Sequence, residues 1–451
     1  MAPHQKMERI NRINQVTGLK TMRDITYPRI LIISHGHPSF SKGGAEVAAY
    51  NLFREYKKIY PGKVLFLARH GKTGSETYPL AQLEKDEFLF YSNTQDYFTH
   101  TQPQKEVLWK EVKSLIEKFQ PDVVHFHHFI HIGVELIRVV KNLSSAPKVF
   151  LTLHEYSAIC NHNGQMVKTG ESKQLCYKSS PLECHNCFTA TSSGDFLLRE
   201  YFLKSYFEII DHFISPSRFL KQRYVDWGIP AEKITVIENG QEPASTVISR
   251  DLTDKEYKIR FGYFGQLNPY KGIDVLLNAF KLLPKSVKKQ VRLDIFGVNL
   301  EFQAPEFIAK IKQLLADNKT VVTNHGSYES SELPSLLNQV DCVIVPSIWW
   351  ENSPMVIQEA FMYKRPVICS NIGGMQEKVE DGVTGIHFMA RKAESLKEKI
   401  AALCNDRHLI MQMARNIKSP LSIKECAKEH LELYHHTDKQ ENKKIAVEAA
   451  R

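Results

Sequence analysis

Long apolar runs are absent from this sequence. No stretch approaches the roughly 18 apolar residues that a membrane-spanning helix needs. The first residues, 1–24, alternate basic and polar side chains without the apolar segment of a secretory signal. We therefore expect a cytoplasmic protein. The glycine fingerprint G-x-G-x-x-G is missing from the strand-to-helix loops as well, which disfavours an NAD-linked dehydrogenase.

The charge of the chain is modestly positive. Lys and Arg number 59 and Asp and Glu 50, a formal net charge of +9. Such a balance favours anionic substrates, or peripheral contact with the anionic inner face of a membrane. It lacks the concentrated charge of a nucleic-acid binder, so we expect no nucleic-acid partner.

The chain is too long for one ordinary core. At 451 residues, with 43% hydrophobic and 24% charged residues, it has the composition of a globular protein of two or three domains. We predict two.

Apolar runs alternate with helix-like stretches along most of the chain. One series runs from RILIISHG (29–36) to KITVIENG (233–240), and a second runs from KIRFGYFG (258–265) to TGIHF (384–388). Strands that alternate with helices pair in parallel through right-handed crossovers. The pattern predicts an α/β fold with two Rossmann-like doubly wound domains, joined by the polar segment 241–256.

The predicted division of the chain has four parts, of which the last ends in a loosely ordered polar tail from Asp438 onward. The parts are a basic polar extension (1–24), an N-terminal domain (25–245) with a Cys-rich insertion (157–192), a C-terminal domain (246–420), and a C-terminal helix with its tail (421–451).

The eight cysteines fall into two groups. Cys342, Cys369, Cys404 and Cys426 lie in predicted core strands and helices and read as free buried thiols. The other group is clustered in the insertion, where a loop gains order from a structural zinc ion. Free thiols, disulfides and an iron–sulfur centre are the alternatives. The clustered residues are Cys160, Cys176, Cys184 and Cys187.

The stretch 341–360, DCVIVPSIWWENSPMVIQEA, reads as a buried strand that runs directly into a helix. Ser353 followed by Pro354 predicts an N-cap and a first helical turn. The leading amides, near Met355 and Val356, then form a seat for phosphate. Glu351 precedes this seat and Glu359 follows it.

The Glu-x7-Glu arrangement within PSIWWENSPMVIQEAF resembles the signature of retaining family 4 glycosyltransferases of the GT-B fold. The resemblance implies that two domains face each other across a cleft and that the chain crosses back to the first domain after about residue 410. It also implies that Glu351 lies against the donor sugar and that Glu359 binds the ribose. Asn352, Ser353, Met355 and Val356 would then contact the phosphates.

The loop GQLNPYKG (265–272) places Lys271 in the same crevice, where a fixed cation would stabilise a departing diphosphate. The family commonly has Arg at the position of Gln266, and this chain departs from it there. By resemblance, the loop of Gly43 and Gly44 closes over the donor phosphate. Further loop residues approach the nucleotide and sugar, namely Gly373, Gly374 and Glu377.

Histidines end two of the predicted strands. His154 ends KVFLTLHEY (148–156) and matches a family histidine that contacts the donor sugar. His125, His127 and His128 end another strand and are expected to line the cleft. Glu46 is expected on the acceptor side, together with His127 and His128.

The resemblance implies a retaining glycosyltransferase that moves a sugar from a nucleoside diphosphate to a hydroxyl of a saccharide or lipid-linked saccharide, in polysaccharide or glycolipid assembly. No Asp-x-Asp motif occurs. The metal clamp of the other major glycosyltransferase fold therefore has no candidate, and we expect no cofactor for catalysis. A GT-B sugar-nucleotide epimerase and a non-catalytic nucleotide-sugar-binding protein are the alternatives.

Overall fold

The structure is a computed structural model. It describes residues 28–448 except 42, 72–78, 93–95, 103–104, 171–172 and 255. The predicted extension at 1–24 lies outside the described residues.

The first sheet, in the described part of the chain, has eight strands. They are β1 (Ile30–Ser34), β2 (Val64–His70), β3 (Leu80–Glu84), β4 (Glu87–Tyr91), β5 (Val123–Phe126), β6 (Lys148–Thr152), β7 (His212–Ser215) and β8 (Ile234–Val236). The spatial order is β3-β4-β2-β1-β5-β6-β7-β8. Only β3 and β4 pair antiparallel among these described strands, and the other neighbours are parallel.

Helices of the same region cover this sheet. They are α1 (Gly44–Ile59), α2 (Lys105–Phe119), α3 (Glu135–Lys141), α4 (Pro181–Cys187), α5 (Ser193–Phe207) and α6 (Arg218–Asp226).

Strand β1 shows why an unbroken apolar run was needed. Ile30, Leu31, Ile32 and Ile33 are all fully buried. Leu31 and Ile33 pack into one hydrophobic core, and Ile30 and Ile32 pack into another on the opposite face. Successive side chains of a strand point to opposite faces, so both faces of a parallel sheet covered by helices must be apolar.

The β3–β4 hairpin was not predicted. Its first strand, LAQLE, is half-buried at Leu80 and exposed at the next four positions. Since β3 is an edge strand that pairs only with β4 in the described sheet, one face and one edge stay in solvent. The sequence therefore lacks the apolar run by which the other strands are recognised.

The second sheet, again within the described residues, has six strands. They are β9 (Ile259–Gln266), β10 (Val291–Val298), β11 (Val322–Gly326), β12 (Cys342–Val345), β13 (Val367–Ser370) and β14 (Gly385–Phe388). The order is β11-β10-β9-β12-β13-β14, and all neighbours are parallel.

Helices connect these strands, and two more follow the last strand before the final helix. They are α7 (Ile273–Lys281), α8 (Lys285–Lys288), α9 (Pro305–Asp317), α10 (Leu333–Gln339), α11 (Met355–Met362), α12 (Gly373–Lys378), α13 (Ala393–Asn405) and α14 (His408–Asn416).

The final helix, α15 (Ile423–Glu448), lies against the first sheet rather than the second. Its Tyr434 is buried, and the hydroxyl lies 2.7 Å from His125 Nδ1 and 3.4 Å from the hydroxyl of Tyr56 on α1. The helix continues to Glu448, and the expected loose order of the polar end stays a prediction.

The prediction of two doubly wound domains is confirmed by these two sheets. The limits of the domains at 245 and 420 stay predictions. Within the described residues, no helix combines the length and the apolar character needed to cross a membrane.

Candidate functional site

Glu351 lies in the turn between β12 and α11, and its side chain is buried. Its Oε1 accepts hydrogen bonds from Lys271 Nζ at 2.7 Å, Ser347 Oγ at 2.7 Å and Trp349 Nε1 at 2.9 Å. Burial alone would raise the pKa of Glu351, but the charge of Lys271 and these three bonds outweigh burial and lower it. The carboxylate is therefore ionised at neutral pH and fixed in place.

Lys271 is held by the geometry of its own loop. Asn268 Oδ1 accepts from the backbone amides of Tyr270 and Lys271, both at 3.0 Å, and this closes a 3₁₀ turn over Pro269–Lys271. Gly272 follows with φ 68°, and a Cβ there would collide with the carbonyl oxygen of Pro346. The chain thus turns tightly, and it directs the ammonium group of Lys271 at Glu351.

The helix that follows Glu351 begins one residue later than predicted. Pro354 occupies the N-cap position of α11, and Met355 is its first residue. Ser353 is therefore not the N-cap. Its hydroxyl is buried and has no hydrogen-bond partner among the described residues. Together with the amides of Met355 and Val356, which head the helix, this hydroxyl offers a donor to an anion.

A cavity of about 580 Å³ lies between the two domains beside this helix start. Gly43 and Gly44 line it from the first domain, and Met355, Glu359 and Tyr328 line it from the second. Burial raises the pKa of Glu359 to about 7. The structure therefore places a titratable carboxylate and the start of α11 at one cavity.

Gly44 brings the two domains close together. A Cβ on Gly44 would lie 3.3 Å from Met355 Sδ. Gly43, the N-cap of α1, is extended with φ −82° and ψ 159° and makes no side-chain cap. A larger side chain at Gly44 would press on Met355 across the cleft, whereas a Cβ on Gly43 would collide with the carboxylate of Glu46.

Gly373 and Gly374 pack against the Glu351 turn. Gly374 N donates to the carbonyl of Glu351 at 2.7 Å, and a Cβ on Gly374 would collide with the carbonyl of Asn352. Gly373 has φ 61°. The glycines therefore support the backbone that carries Glu351.

Glu377, expected near the nucleotide and sugar, contacts the first domain instead. Its two carboxylate oxygens accept from the amides of Arg218 and Phe219, at 2.8 and 2.7 Å, at the start of α6. A carboxylate at a helix start satisfies free amide groups and opposes the positive end of the helix dipole. Glu377 therefore joins the two domains.

His154 and His127 form a pair at the first-domain side of the cleft. His127 Nδ1 lies 3.2 Å from His154 Nε2, and the rings are stacked. The carbonyl of His154 accepts from the side-chain amide of Asn352. Burial lowers the pKa of His154 to about 3, and burial also lowers the pKa of His127. Both rings are thus neutral hydrogen-bonding groups at physiological pH.

His128 is oriented by the backbone that follows it. Its Nδ1 accepts from the amides of Phe129 and Ile130, so Nε2 carries the proton and faces Glu155 Oε1 at 3.4 Å. Burial raises the pKa of Glu155 to about 7.

Glu46, expected on the acceptor side, is buried close to these histidines. It accepts from Ser41 Oγ at 2.6 Å and lies 3.4 Å from His35 Nε2. The ring of His35 is 4.4 Å from that of His128. Glu46 and His128 therefore belong to one polar cluster at the ends of β1 and β5.

His125 does not line the cleft, in contrast to the prediction. It is fully buried, with Nε2 at 2.7 Å from Thr152 Oγ1 and Nδ1 at 2.7 Å from the hydroxyl of Tyr434. The reason is that His125 lies within β5 (Val123–Phe126), on the sheet face that α15 covers, whereas His127 and His128 follow the end of the strand.

Gln266 ends β9 in an exposed position. Its Oε1 accepts from Asn268 Nδ2 at 3.1 Å. It therefore touches the loop that carries Lys271, and it brings no charge to that loop.

The four cysteines of the insertion have free thiols and are half-buried. They are close enough that Cys184 has its pKa raised to about 11, mainly by burial and then by Cys176. Among the residues that the structure describes, no three Cys, His or carboxylate side chains converge as metal ligands. The zinc site at Cys160, Cys176, Cys184 and Cys187 stays a prediction. The core cysteines predicted to be free, Cys342, Cys369, Cys404 and Cys426, are buried free thiols.

Sequence reasoning missed several residues of the site. Ser347 and Trp349 bond directly to Glu351, His35 pairs with Glu46, and Tyr328 lines the cavity with Glu359. Ser347 and His35 could have been found from the sequence, because each is a polar residue just after a buried strand and ligands bind at the carboxyl ends of parallel strands. Tyr328 has no such local signal.

Two doubly wound domains with a polar cleft between them define the GT-B class of folds. Two family models match successive parts of this chain. The model of Glycosyltransferase Family 4 matches residues 42–245, and the model of Glycosyl transferases group 1 matches residues 245–419. The chain belongs to glycosyltransferase family 4.

A curated relative is the lipopolysaccharide 1,2-N-acetylglucosaminetransferase of Salmonella typhimurium. It is 29% identical over 217 residues, which cover 45% of this chain and 56% of that enzyme. The chain thus spans just over half the length of this relative.

Solved structures share the fold across most of the chain. HepE of Anabaena, solved with UDP and glucose, has a TM-score of 0.63 at 18% identity, covering 90% of this chain and 99% of that one. The catalytic domain of starch synthase IV from Arabidopsis thaliana, solved with ADP and acarbose, has a TM-score of 0.63 at 13% identity, covering 91% and 99%.

Proposed function

We propose that this chain is a retaining glycosyltransferase. It transfers a sugar from a nucleoside diphosphate to a hydroxyl of a saccharide or lipid-linked saccharide in polysaccharide or glycolipid assembly. The observation that carries the proposal is the placement of two carboxylates around the first turn of α11. Glu351, paired with Lys271, precedes that turn, and Glu359 lies in the helix at the cavity.

The diphosphate is assigned to the start of α11. The amides of Met355 and Val356 carry the positive end of the helix dipole, and Ser353 adds a buried hydroxyl. Glu359 then receives the ribose hydroxyls in the adjoining cavity. The two solved neighbours hold UDP in one case and ADP in the other, so the fold alone does not select the base.

Lys271 has the position and the spare donors to stabilise the leaving group. Its ammonium has three N–H donors, of which one goes to Glu351, and its side chain is 30% exposed to the cleft. A fixed cation lowers the barrier because charge on the diphosphate increases as the glycosidic bond breaks.

The reaction proceeds on one face of the sugar. The bond between the anomeric carbon and the diphosphate oxygen breaks, and its electron pair goes to the diphosphate. The acceptor oxygen forms the new bond on the same face, and its proton moves to the departing phosphate oxygen. Glu351 orients the sugar by accepting hydrogen bonds from the hydroxyls of the sugar. The neutral imidazole of His154 also forms a hydrogen bond with the sugar.

We also propose that this catalysis needs no divalent cation. The positive charge at the leaving group comes from Lys271 and the amides of α11, and the sequence contains no Asp-x-Asp motif. Transfer should therefore continue in the presence of a chelator of divalent metals.

A ligand series tests the proposal. Melting temperatures are measured with a nucleoside, its monophosphate, its diphosphate and its diphosphate sugar, for uridine, adenosine and guanosine, and with NAD. A ligand that binds only the folded state raises its stability by RT ln(1 + [L]/Kd). We expect one base series in which the diphosphate gives a larger shift than the monophosphate.

The stabilising donor is then incubated with candidate saccharide acceptors. Mass spectrometry detects glycosylated acceptor, and proton NMR of the recovered donor detects an epimer, which has the same mass as the donor. A glycosylated acceptor supports the proposal. An epimerised donor without acceptor product supports the epimerase, and binding without any turnover supports the non-catalytic protein. Stabilisation by NAD alone would overturn the proposal.

A further inference from the structure

Trp350, next to Glu351, faces the opposite domain. Its side chain is 5% exposed and belongs to the hydrophobic core of the first domain, although the residue lies in the second. The ring meets Tyr177 edge-on at 5.0 Å and Phe219 at 5.1 Å. The indole N–H donates to the carbonyl of Cys176 at 3.0 Å.

Trp350 and Glu351 are adjacent in the sequence, but their side chains contact different domains. The carboxylate of Glu351 is bonded by Lys271, Ser347 and Trp349, all of the second domain. The side chain of Trp350 has its aromatic partners and its hydrogen-bond acceptor in the first domain. Because adjacent residues share a peptide bond, a displacement of the backbone at Trp350 also moves Glu351.

The Cys-rich insertion makes further contacts with the second domain. Lys173 places its ammonium 5.6 Å from the centre of the Tyr270 ring, beside Lys271. The carbonyl of Lys173 accepts from the guanidinium of Arg391. His162 also approaches the Tyr270 ring, at 6.4 Å. The insertion thus reaches across the cleft to the two loops that hold Glu351.

We propose that Trp350 is a positioning residue. Seated between Tyr177, Phe219 and the carbonyl of Cys176, it anchors the turn of Glu351 to the first domain. This contact fixes the position of the Glu351 carboxylate relative to the sugar and to His154. The carbonyl of His154 accepts a hydrogen bond from the side chain of Asn352, which lies in the same turn as Glu351. The inference rests on the proposed transferase function, and it adds the insertion as the part that couples closure of the two domains to the sugar subsite.

Trp350 is expected to affect the rate through the alignment of the sugar with the acceptor. Binding of the nucleotide depends on α11 and Glu359, which Trp350 does not touch in the contacts above. Transfer depends on where Glu351 holds the sugar relative to the acceptor, and a displacement of about 1 Å costs roughly 10²-fold in rate. Loss of Trp350 should therefore reduce kcat much more than donor affinity.

Three variants separate the contributions. Trp350→Ala removes the ring and the N–H donor, Trp350→Phe keeps an aromatic ring without the donor, and Tyr177→Ala removes one ring partner. Tyr177 is 65% exposed, so its variant will fold even if Trp350→Ala does not. The matched control is Trp227→Phe, a buried first-domain tryptophan that packs on Phe207 and Tyr224.

The measurements are kcat, the donor KM and the Kd of the free nucleoside diphosphate. We expect kcat to fall by about 10²-fold in Trp350→Ala, with partial recovery in Trp350→Phe. Tyr177→Ala should show a smaller fall, and Kd should change by less than about threefold in every variant. Trp227→Phe should match the parent.

Two outcomes would overturn the inference. One is kcat at the parent level in Trp350→Ala or, where that variant does not fold, in both Trp350→Phe and Tyr177→Ala. The other is a loss of nucleotide affinity as large as the loss of kcat, because that shows a collapsed donor site. Failure of the proposed function shows separately, as absence of transfer by the parent enzyme.

Discussion

Glu351 is buried and ionised at once, and this combination depends on Lys271. The ion pair and two neutral donors outweigh the cost of burial and lower the pKa of the carboxyl. A carboxylate that already accepts three bonds through one oxygen is held firmly as an acceptor for sugar hydroxyls. This arrangement favours an orienting role over nucleophilic attack on the anomeric carbon.

Replacement of Glu351 distinguishes these two roles. Glu351→Gln keeps a neutral hydrogen-bonding group, so we expect measurable transfer with kcat reduced by about 10²-fold. The control Glu394→Gln changes an exposed glutamate at the start of α13 and should leave kcat unchanged. Steady-state kinetics and intact-protein mass spectrometry check this. Complete loss of transfer, together with a glycosyl adduct on Glu351 in the parent, would show a covalent mechanism.

The raised pKa of Glu359 predicts that donor binding depends on pH. Its pKa is raised to about 7 by burial, so the carboxyl is protonated below that pH and ionised above it. Ribose hydroxyls donate more strongly to the ionised form. Affinity should therefore rise about tenfold as the pH increases from about 6 to about 8.

A nucleoside diphosphate sugar is the probe for this titration, because both of its phosphates are esterified and lack the ionisation near pH 6 of a terminal phosphate. Calorimetric Kd values at each pH give the profile. The variant Glu359→Gln should bind with a flat profile. A slope that persists in Glu359→Gln would assign the titration to another group, such as Glu155, whose pKa is also raised to about 7.

At the residue scale, the sequence was informative where a motif is local. Glu351 and Lys271 lie on strand-to-helix loops, and Glu359 lies in the helix that follows the first of these loops, so local patterns in the sequence were enough to single them out. The prediction for His125 was wrong because the environment of its side chain depends on how β5 packs against α15. Its partner on that helix, Tyr434, is 309 positions away in the sequence. The burial of Trp350 in the opposite domain has the same kind of cause, a partner distant in sequence.

At the scale of elements, the loop that carries Lys271 depends on one glycine. Gly272 combines φ 68° with close approach to the backbone of Pro346. An alanine there meets both a left-handed backbone penalty of about 1 kcal/mol and a collision with a carbonyl that cannot move away freely.

We expect Gly272→Ala to lower the melting temperature more than Gly382→Ala does. Gly382 also lies in the second domain with φ 75°, but no atom lies within 4 Å of its added Cβ. The control therefore carries the backbone penalty alone. Thermal unfolding followed by circular dichroism measures both variants. Equal shifts would show that the Pro346 contact does not constrain the loop.

The Cys-rich insertion makes a separate prediction for a metal. Four half-buried free thiols lie in the insertion, which reaches the cleft. We propose that they hold a structural zinc ion, and we expect about one zinc per purified chain and less in Cys184→Ser. Elemental analysis checks both, with Cys404→Ser, a buried thiol on α13, as the control. Protein purified without chelator that contains no zinc would refute the proposal.

The strands that the sequence predicted correctly are those buried on both faces of the sheet. Strands such as β1 and β12 are short apolar runs because helices cover both faces of the sheet. The start of α11 was misplaced by one residue. Ser353 followed by Pro354 is the usual pattern of an N-cap and first helical residue, but the backbone of Pro354 is extended (φ −63°, ψ 116°), so the helix begins at Met355. The hairpin of β3 and β4 was missed since its exposed edge strand carries polar residues.

At the scale of the whole molecule, the two domains are joined by specific contacts as well as by the chain. Glu377 caps α6, Trp350 enters the first core, and α15 packs under the first sheet. The alternation of strands and helices was enough to predict two doubly wound domains. The contacts between the domains were not predictable, because each joins segments that are far apart in the sequence.

The central claim is transfer with retention at the cleft between these domains. The most direct measurement is proton NMR of the first product formed from an α-linked nucleoside diphosphate sugar, with the coupling between the first two sugar protons reporting the anomeric configuration. The account predicts an α-linked product, since acceptor attack and diphosphate departure share one face. A β-linked product would contradict it.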